Sequence, residues 1–262
     1  MQWLRFGMDG QECIGILEGD QIRRHAGQMF EPFEPFAPLR DAPSTGVVSI
    51  AQVQWLTPCK PSKIIGLWNN FRAAAEKNGW AQPAEPLYFL KSPGSACAHL
   101  HPIAVPAHYD GRVVYEGELV VVIGRTAKGV SVQDAPAHIF GYTCGNDLTA
   151  IELLHRDTSF GQWTRAKSFD GFAAFGPTIN TDFDPSTATV RTVVAGRERQ
   201  NYALSDMFFS PAELVSRISH DMTLEPGDLI YCGTSLGVLP IKPGSMVDVA
   251  IDGIGTLSNR YG

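Results

Sequence analysis

The chain has 262 residues, 44% of them hydrophobic and 18% charged, with a formal net charge of −6. That is enough apolar material for a sizeable core in one large domain, with or without a small appendage. The acidic balance speaks against a nucleic-acid surface. No apolar run approaches the ~18 residues of a membrane-spanning helix, and the start, MQWLRFGMDGQ, lacks the basic-then-apolar pattern of a signal peptide.

In chain order, QWLRFGMDG and QECIGILEGDQIRRH alternate in short Gly-bounded runs and read as strands joined by tight turns. A Pro-rich stretch from Phe30 to Pro43 reads as a linker or a loop packed by its aromatics. Residues 1–57 are therefore expected to form a small β domain with a linker, and residues 58–262 the main domain. Phe71 to Asn78 is Ala-rich and stops at Gly79, a helix. Arg112 to Gly124 (RVVYEGELVVVIG) is the clearest strand. Leu148 to His155 reads as a second helix, capped by Asn146 or Asp147. Ser210 to Ser219 reads as a third, with Ser210 as cap, Pro211 at the first position and Glu213 closing a capping box. Pro226-Gly227 and Pro243-Gly244 set type II turns before two β-rich runs. Many short strands and few helices predict an α+β, mainly β class. Five spread cysteines (Cys13, Cys59, Cys97, Cys144, Cys232) form no CxxC and read as small hydrophobes kept reduced in the cytoplasm. No HExxH occurs, and His99 and His101 read as surface or loop residues.

Glu116 and Glu118 carry the strongest chemical signal. Two apart on a strand, they share a face with Val114, Val120 and Val122, while Tyr115, Leu119, Val121 and Ile123 make the other face apolar too. Paired buried carboxylates repel each other and lose hydration, and a cation relieves both. Oxygen ligands alone suit Mg²⁺, Mn²⁺ or Ca²⁺ rather than zinc. The competing reading ends the strand at Tyr115 and leaves both glutamates in solvent. Asp147 is the candidate third ligand, with a helix N-cap as the equal alternative. Lys167, in the aromatic stretch QWTRAKSFDGFAAFGP, either snorkels to solvent or supplies positive charge to a bound carboxylate or enolate.

The ordered motifs YEGEL, GYTCGNDLTA, QWTRAKSFD, FGP, TLEPGDLIYCGT and GIGTLSN resemble the fumarylacetoacetate hydrolase family from about Lys63 to Asn259. That resemblance implies a rolled mixed β-sheet core with a small N-terminal β appendage, a homodimer, and Mg²⁺ or Mn²⁺ (Ca²⁺ as a stand-in in a crystal) held by Glu116, Glu118 and Asp147. It also implies that Lys167 contacts the substrate, that Thr234 holds a substrate carboxylate, and that Lys91 lies near the pocket mouth. Phe71 is expected beside the substrate. A 2-oxo acid would chelate the metal through its carboxylate and keto oxygens.

The chain departs from the family pattern at three places. Where N-Y-x-x-H-x-x-E supplies a water-activating His–Glu pair, this chain has Ala73 and Glu76, so Glu76 alone on a closing helix is the expected general base. Ile151 and Leu154 stand where Arg and Gln commonly face the substrate, and Ser235 replaces the proline of T-G-T-P. The leading expectation is a hydrolase cleaving a C–C bond in an acylpyruvate-like diketo acid. The alternatives are a hydratase or oxaloacetate decarboxylase of the same fold, or an enol–keto isomerase. A non-catalytic relative that binds a metal and a small acid stands last.

Overall fold

The computed structural model describes residues 1–30 and 44–262, so most of the Pro-rich stretch lies outside the described residues. The N-terminal runs form β1 (Gln2–Met8), β2 (Gln11–Glu18), β3 (Gln21–His25), β4 (Ser44–Ser49) and β5 (Gln54–Trp55). There follow β6 (Ile64–Trp68), α1 (Arg72–Asn78), β7 (Leu87–Lys91), β8 (Ala96–Cys97), β9 (Val113–Val114) and β10 (Gly117–Ile123). Next come β11 (Ile139–Asp147), β12 (Thr149–Ala150), α2 (Ile151–Leu154), α3 (Trp163–Lys167) and β13 (Ala173–Asn180). The chain ends with β14 (Thr189–Val194), β15 (Arg197–Ala203), α4 (Pro211–Asp221), β16 (Leu229–Tyr231), β17 (Ser245–Ile251) and β18 (Gly255–Tyr261).

A mixed, largely antiparallel sheet of 12 strands runs β4-β3-β2-β1-β13-β11-β10-β16-β6-β7, with β5 on β1 and β8 on β13. This is the expected α+β, mainly β class. The N-terminal strands are continuous with that sheet, because β1 pairs β13 through Gln2–Asn180 and Trp3–Ile179. The β1–β2 hairpin turns at Asp9-Gly10, both at positive φ (52° and 74°), the geometry an Asp-Gly pair suits. A second sheet, β15-β14-β17-β18, packs on the first. The core between them joins Leu119, Val121 and Ile123 to Val190, Val249 and Leu257.

β10 is buried along its whole length. Its alternate residues Val120 and Val122 enter a second core, with Trp3, Phe140 and Phe175. A strand buried on both faces is what its near-continuous apolar run implied. The long strand expected from Arg112 to Gly124 is interrupted, however. Val113–Val114 leave the large sheet to pair with Thr149–Ala150. That pairing also shortens the second expected helix to Ile151–Leu154, whose N-cap Ala150 offers no side-chain bond. The other signals hold: Gly227 and Gly244 take φ of 87° and 86° after their prolines, and α4 begins with the Ser210–Glu213 capping box.

His99 joins the N-terminal strands to the last one. Its ring meets Trp55 edge-on at 4.8 Å, and the Ser258 backbone N–H donates to its Nδ1 at 3.0 Å. Burial pushes its pKa down to about 4. The unfolded chain therefore binds a proton, near the ordinary histidine value, that the folded chain refuses. The stability this contributes is present above about pH 6.5 and is lost as the pH falls toward 4. Urea melts between pH 7 and 4 should show that loss in wild type and a flatter profile in His99→Gln; identical profiles would contradict it.

Candidate metal centre

Register places the acidic residues together. β10 pairs with β11 so that Gly117 faces Asn146 and Glu118 faces Gly145. One step further, the Asp147 N–H donates to the Glu116 carbonyl at 2.8 Å. Carboxylate oxygens of Glu116, Glu118 and Asp147 then lie within 4.8 Å of one another. The residue between the glutamates has to be small: a Cβ on Gly117 would sit 2.0 Å from the Thr192 hydroxyl.

Two lysines approach the same carboxylates. Lys167, at the end of α3, places Nζ 2.9 Å from Glu116 Oε2 and 2.7 Å from Asp147 Oδ2. Lys91, at the end of β7, donates to Asp147 Oδ1 and, at 2.7 Å, to the Phe172 carbonyl. Burial disfavours the Lys167 ammonium, but Asp147, Glu116 and Glu118 outweigh it and hold its pKa above the usual range. Burial likewise works against the Asp147 carboxylate, and Lys167 with Lys91 overcomes it, so the Asp147 pKa is lowered. Glu118 has only the weaker pull of Lys167 and the Gly233 N–H on its side. Burial first, then Asp147 and Glu116, pushes its pKa well above the ordinary carboxylate range.

The donor set fits a hard divalent cation. Glu118 Oε2 accepts from the Gly233 N–H at 2.7 Å, but its Oε1 is buried without a partner. Native interiors rarely leave such an atom unpaired. Ionised together, the three carboxylates would also outnumber the two ammonium groups. A cation bound by oxygens alone would satisfy both, and hard ions such as Mg²⁺, Mn²⁺ or Ca²⁺ prefer such ligands.

Glu116 and Lys167 open onto a cavity of about 690 Å³ walled mainly by apolar side chains. Thr234 also lines it. Its hydroxyl accepts from Gln200 Nε2 at 2.8 Å and donates to the Gly117 carbonyl at 3.0 Å, so its single proton is already committed to backbone. Lys91 is not at the mouth, where the family resemblance put it. It is 2% exposed, behind Asp147, because the inward side of β7 carries it into the core. Phe71 is fully buried against Tyr202, with ring centroids 4.9 Å apart, and does not line the cavity. Glu76 is exposed on α1 and is not brought to the carboxylates. The N-cap alternative for Asp147 fails, since both its carboxylate oxygens are taken by lysines.

Gln200 escaped the sequence reading. It accepts from the Gly117 N–H at 3.0 Å and holds Thr234, tying β15 to the centre of the site. Its strand reads RERQNYA, in which one buried glutamine among exposed polar residues leaves no local signal.

The model of the fumarylacetoacetate hydrolase C-terminal family matches residues 63–261, and an Rv2993c-like N-terminal model matches residues 1–58. The chain is similar to an X-ray structure of 5-carboxymethyl-2-hydroxymuconate delta-isomerase from Mycobacterium smegmatis, with TM-score 0.88 and 36% identity over 100% of this chain and 99% of that one. It is 37% identical to the oxaloacetate tautomerase YisK of Bacillus subtilis, over 96% of this chain and 85% of that protein. It also resembles fumarylpyruvate hydrolase from Pseudomonas aeruginosa, solved in complex with Mn²⁺ and pyruvate. There the TM-score is 0.71 and the identity 30%, over 78% of this chain and 90% of that one.

An unpartnered buried carboxylate costs stability until a ligand meets it. Glu118→Gln should raise the denaturant stability of metal-stripped protein by about 1–3 kcal/mol. The same change should weaken Mn²⁺ binding, read by calorimetry, at least ~10-fold. Lower stability together with unchanged Mn²⁺ affinity would contradict the assignment.

Proposed function

The chain belongs to the fumarylacetoacetate hydrolase family, and on that premise we propose that it is a metal-dependent enzyme catalysing enol–keto isomerisation of a small 2-oxo acid. The observation that carries this reading is the pairing of the Lys167 ammonium with the Glu116 carboxylate at 2.9 Å on the cavity floor, beside Glu118 and Asp147. Glu116, Glu118 and Asp147 would hold Mg²⁺ or Mn²⁺, which would supply Lewis-acid stabilisation of the substrate's C2 oxygen.

The isomerisation moves one proton: the enol O–H bond breaks, a C3–H bond forms, and nothing is oxidised or reduced. Lys167 sets a fixed positive charge at the cavity floor, where the oxygen that loses its proton gains negative charge. Lys91 neutralises Asp147 from behind, so Lys167 need not serve that carboxylate alone. The Thr149 hydroxyl donates to Glu116 Oε1 at 2.7 Å and fixes that side chain's direction. The apolar walls lower the polarity around the charged floor, which strengthens the interactions made there.

Hydrolysis of an acylpyruvate, the leading expectation from sequence, asks in addition for an activated water. The group expected to activate it, Glu76, is exposed and outside the cavity wall, and Ala73 stands beside it on α1. The relatives named as a tautomerase and an isomerase support the same shift.

The test is metal-stripped protein refilled with Mn²⁺ or Mg²⁺ and offered oxaloacetate enol, a 2-hydroxy-dienoate and an acylpyruvate. The expected result is metal-dependent loss of the enol signal, without CO₂ release and without two acid products. Lys167→Met should lower that rate by about 10²–10³-fold. Two acid products from the acylpyruvate at a comparable rate would restore the hydrolase reading, and hydration or CO₂ release the lyase one.

A further inference from the structure

The cavity wall above the charged floor is built of rings. Lys167 Nζ lies 4.9 Å from the centroid of Phe89. Phe89 stacks on Trp163 at 5.1 Å with 20° between the planes, Trp163 meets Trp68 at 6.2 Å, and Trp68 meets Trp80 at 4.9 Å. All four rings line the same cavity as Glu116 and Lys167, so an aromatic run leads from the reacting end toward solvent. Phe89 at its base is buried, and Trp80 at its outer end is 40% exposed. Ile151, Leu154 and Leu239 add further apolar wall. The cavity, at about 690 Å³, belongs to the roughly 300–1,000 Å³ class that encloses drug-sized ligands, well beyond a four-carbon acid.

The positive groups on the wall above the floor are poorly placed to hold a second carboxylate. Arg112 is already paired with Glu152 at 2.5 Å and is exposed to solvent. Lys77 and His155 are exposed as well. Ion pairs in such settings contribute little, whereas flat rings gain from offset or edge-on packing against other rings.

Resting on the isomerase reading, we propose that the substrate is a 2-oxo acid carrying an aryl or similarly flat apolar substituent at C3, seated along Phe89, Trp163, Trp68 and Trp80. The carboxylate and C2 oxygen lie at the floor, and the proton exchange at C3 takes place at the foot of the aromatic run. A dicarboxylate such as oxaloacetate reaches the floor equally well but leaves the rings unfilled and its second charge against an apolar wall.

The experiment uses metal-loaded full-length protein and two probes, the enols of phenylpyruvate and of oxaloacetate, followed in the ultraviolet. Binding of each keto acid is read in parallel by quenching of tryptophan fluorescence. The expected kcat/KM for phenylpyruvate exceeds that for oxaloacetate by about 10–100-fold. Trp80→Ala and Trp163→Ala should each lower kcat/KM for phenylpyruvate more than for oxaloacetate, and Ile151→Arg should shift the preference toward the dicarboxylate. Because Trp163 shares a helix with Lys167, the rim variant at Trp80 is the cleaner of the two. Oxaloacetate preferred by wild type, or a preference unmoved by both tryptophan variants, overturns the proposal. Tighter phenylpyruvate binding without turnover of either probe upholds the substrate class and overturns the isomerase reading. No phenylpyruvate binding at all overturns the substrate class.

Discussion

The structure depends on the forced proximity of like charges. Antiparallel pairing of β10 with β11 fixes Glu116, Glu118 and Asp147 beside one another, and nothing in that pairing lets them separate. In a dry interior their repulsion would be severe. Lys91 and Lys167 relieve Asp147 and Glu116, and the Gly233 N–H relieves one oxygen of Glu118. The remaining oxygen is buried and unmatched. Such an arrangement holds stability in reserve for a ligand, as expected of a working site rather than of a structural ion pair.

Around that centre each element contributes something chemical. β10, buried on both faces, supplies Glu118, and Glu116 directly precedes its first residue. β7 brings the inner lysine, α3 the outer one, and β15 the glutamine that locks Thr234. The division of labour between the lysines follows from depth. Lys91 is sealed behind Asp147, while Lys167 faces the cavity. Ile151, Leu154 and Ser235 line the cavity, and Ala73 sits on α1, which contributes Ala74 and Lys77 to its wall.

Much of this was legible in the residues, and the failures have physical causes. The alternation around Glu116 and Glu118 gave away a doubly buried strand, because period two is a property of the backbone itself. Capping chemistry placed α4, and Pro-Gly pairs placed two turns, since those signals are local. The break at Tyr115-Glu116, which only the competing reading allowed, and the short α2, which no reading gave, both come from pairing between Val113–Val114 and Thr149–Ala150, distant in sequence. The same holds for the depth of Lys91 and the reach of Gln200, each set by a strand neighbour that no local pattern announces. Glu76 was picked by its motif position, and the structure leaves it in solvent.

The most direct test of the account is anomalous scattering at the manganese edge from crystals grown with Mn²⁺. The account predicts one strong peak among the carboxylates of Glu116, Glu118 and Asp147, with the Glu118 oxygen that lacks a partner among its ligands. No peak there at saturating Mn²⁺, or a dominant peak elsewhere on the protein, would contradict the claim that this buried acidic cluster exists to hold a metal.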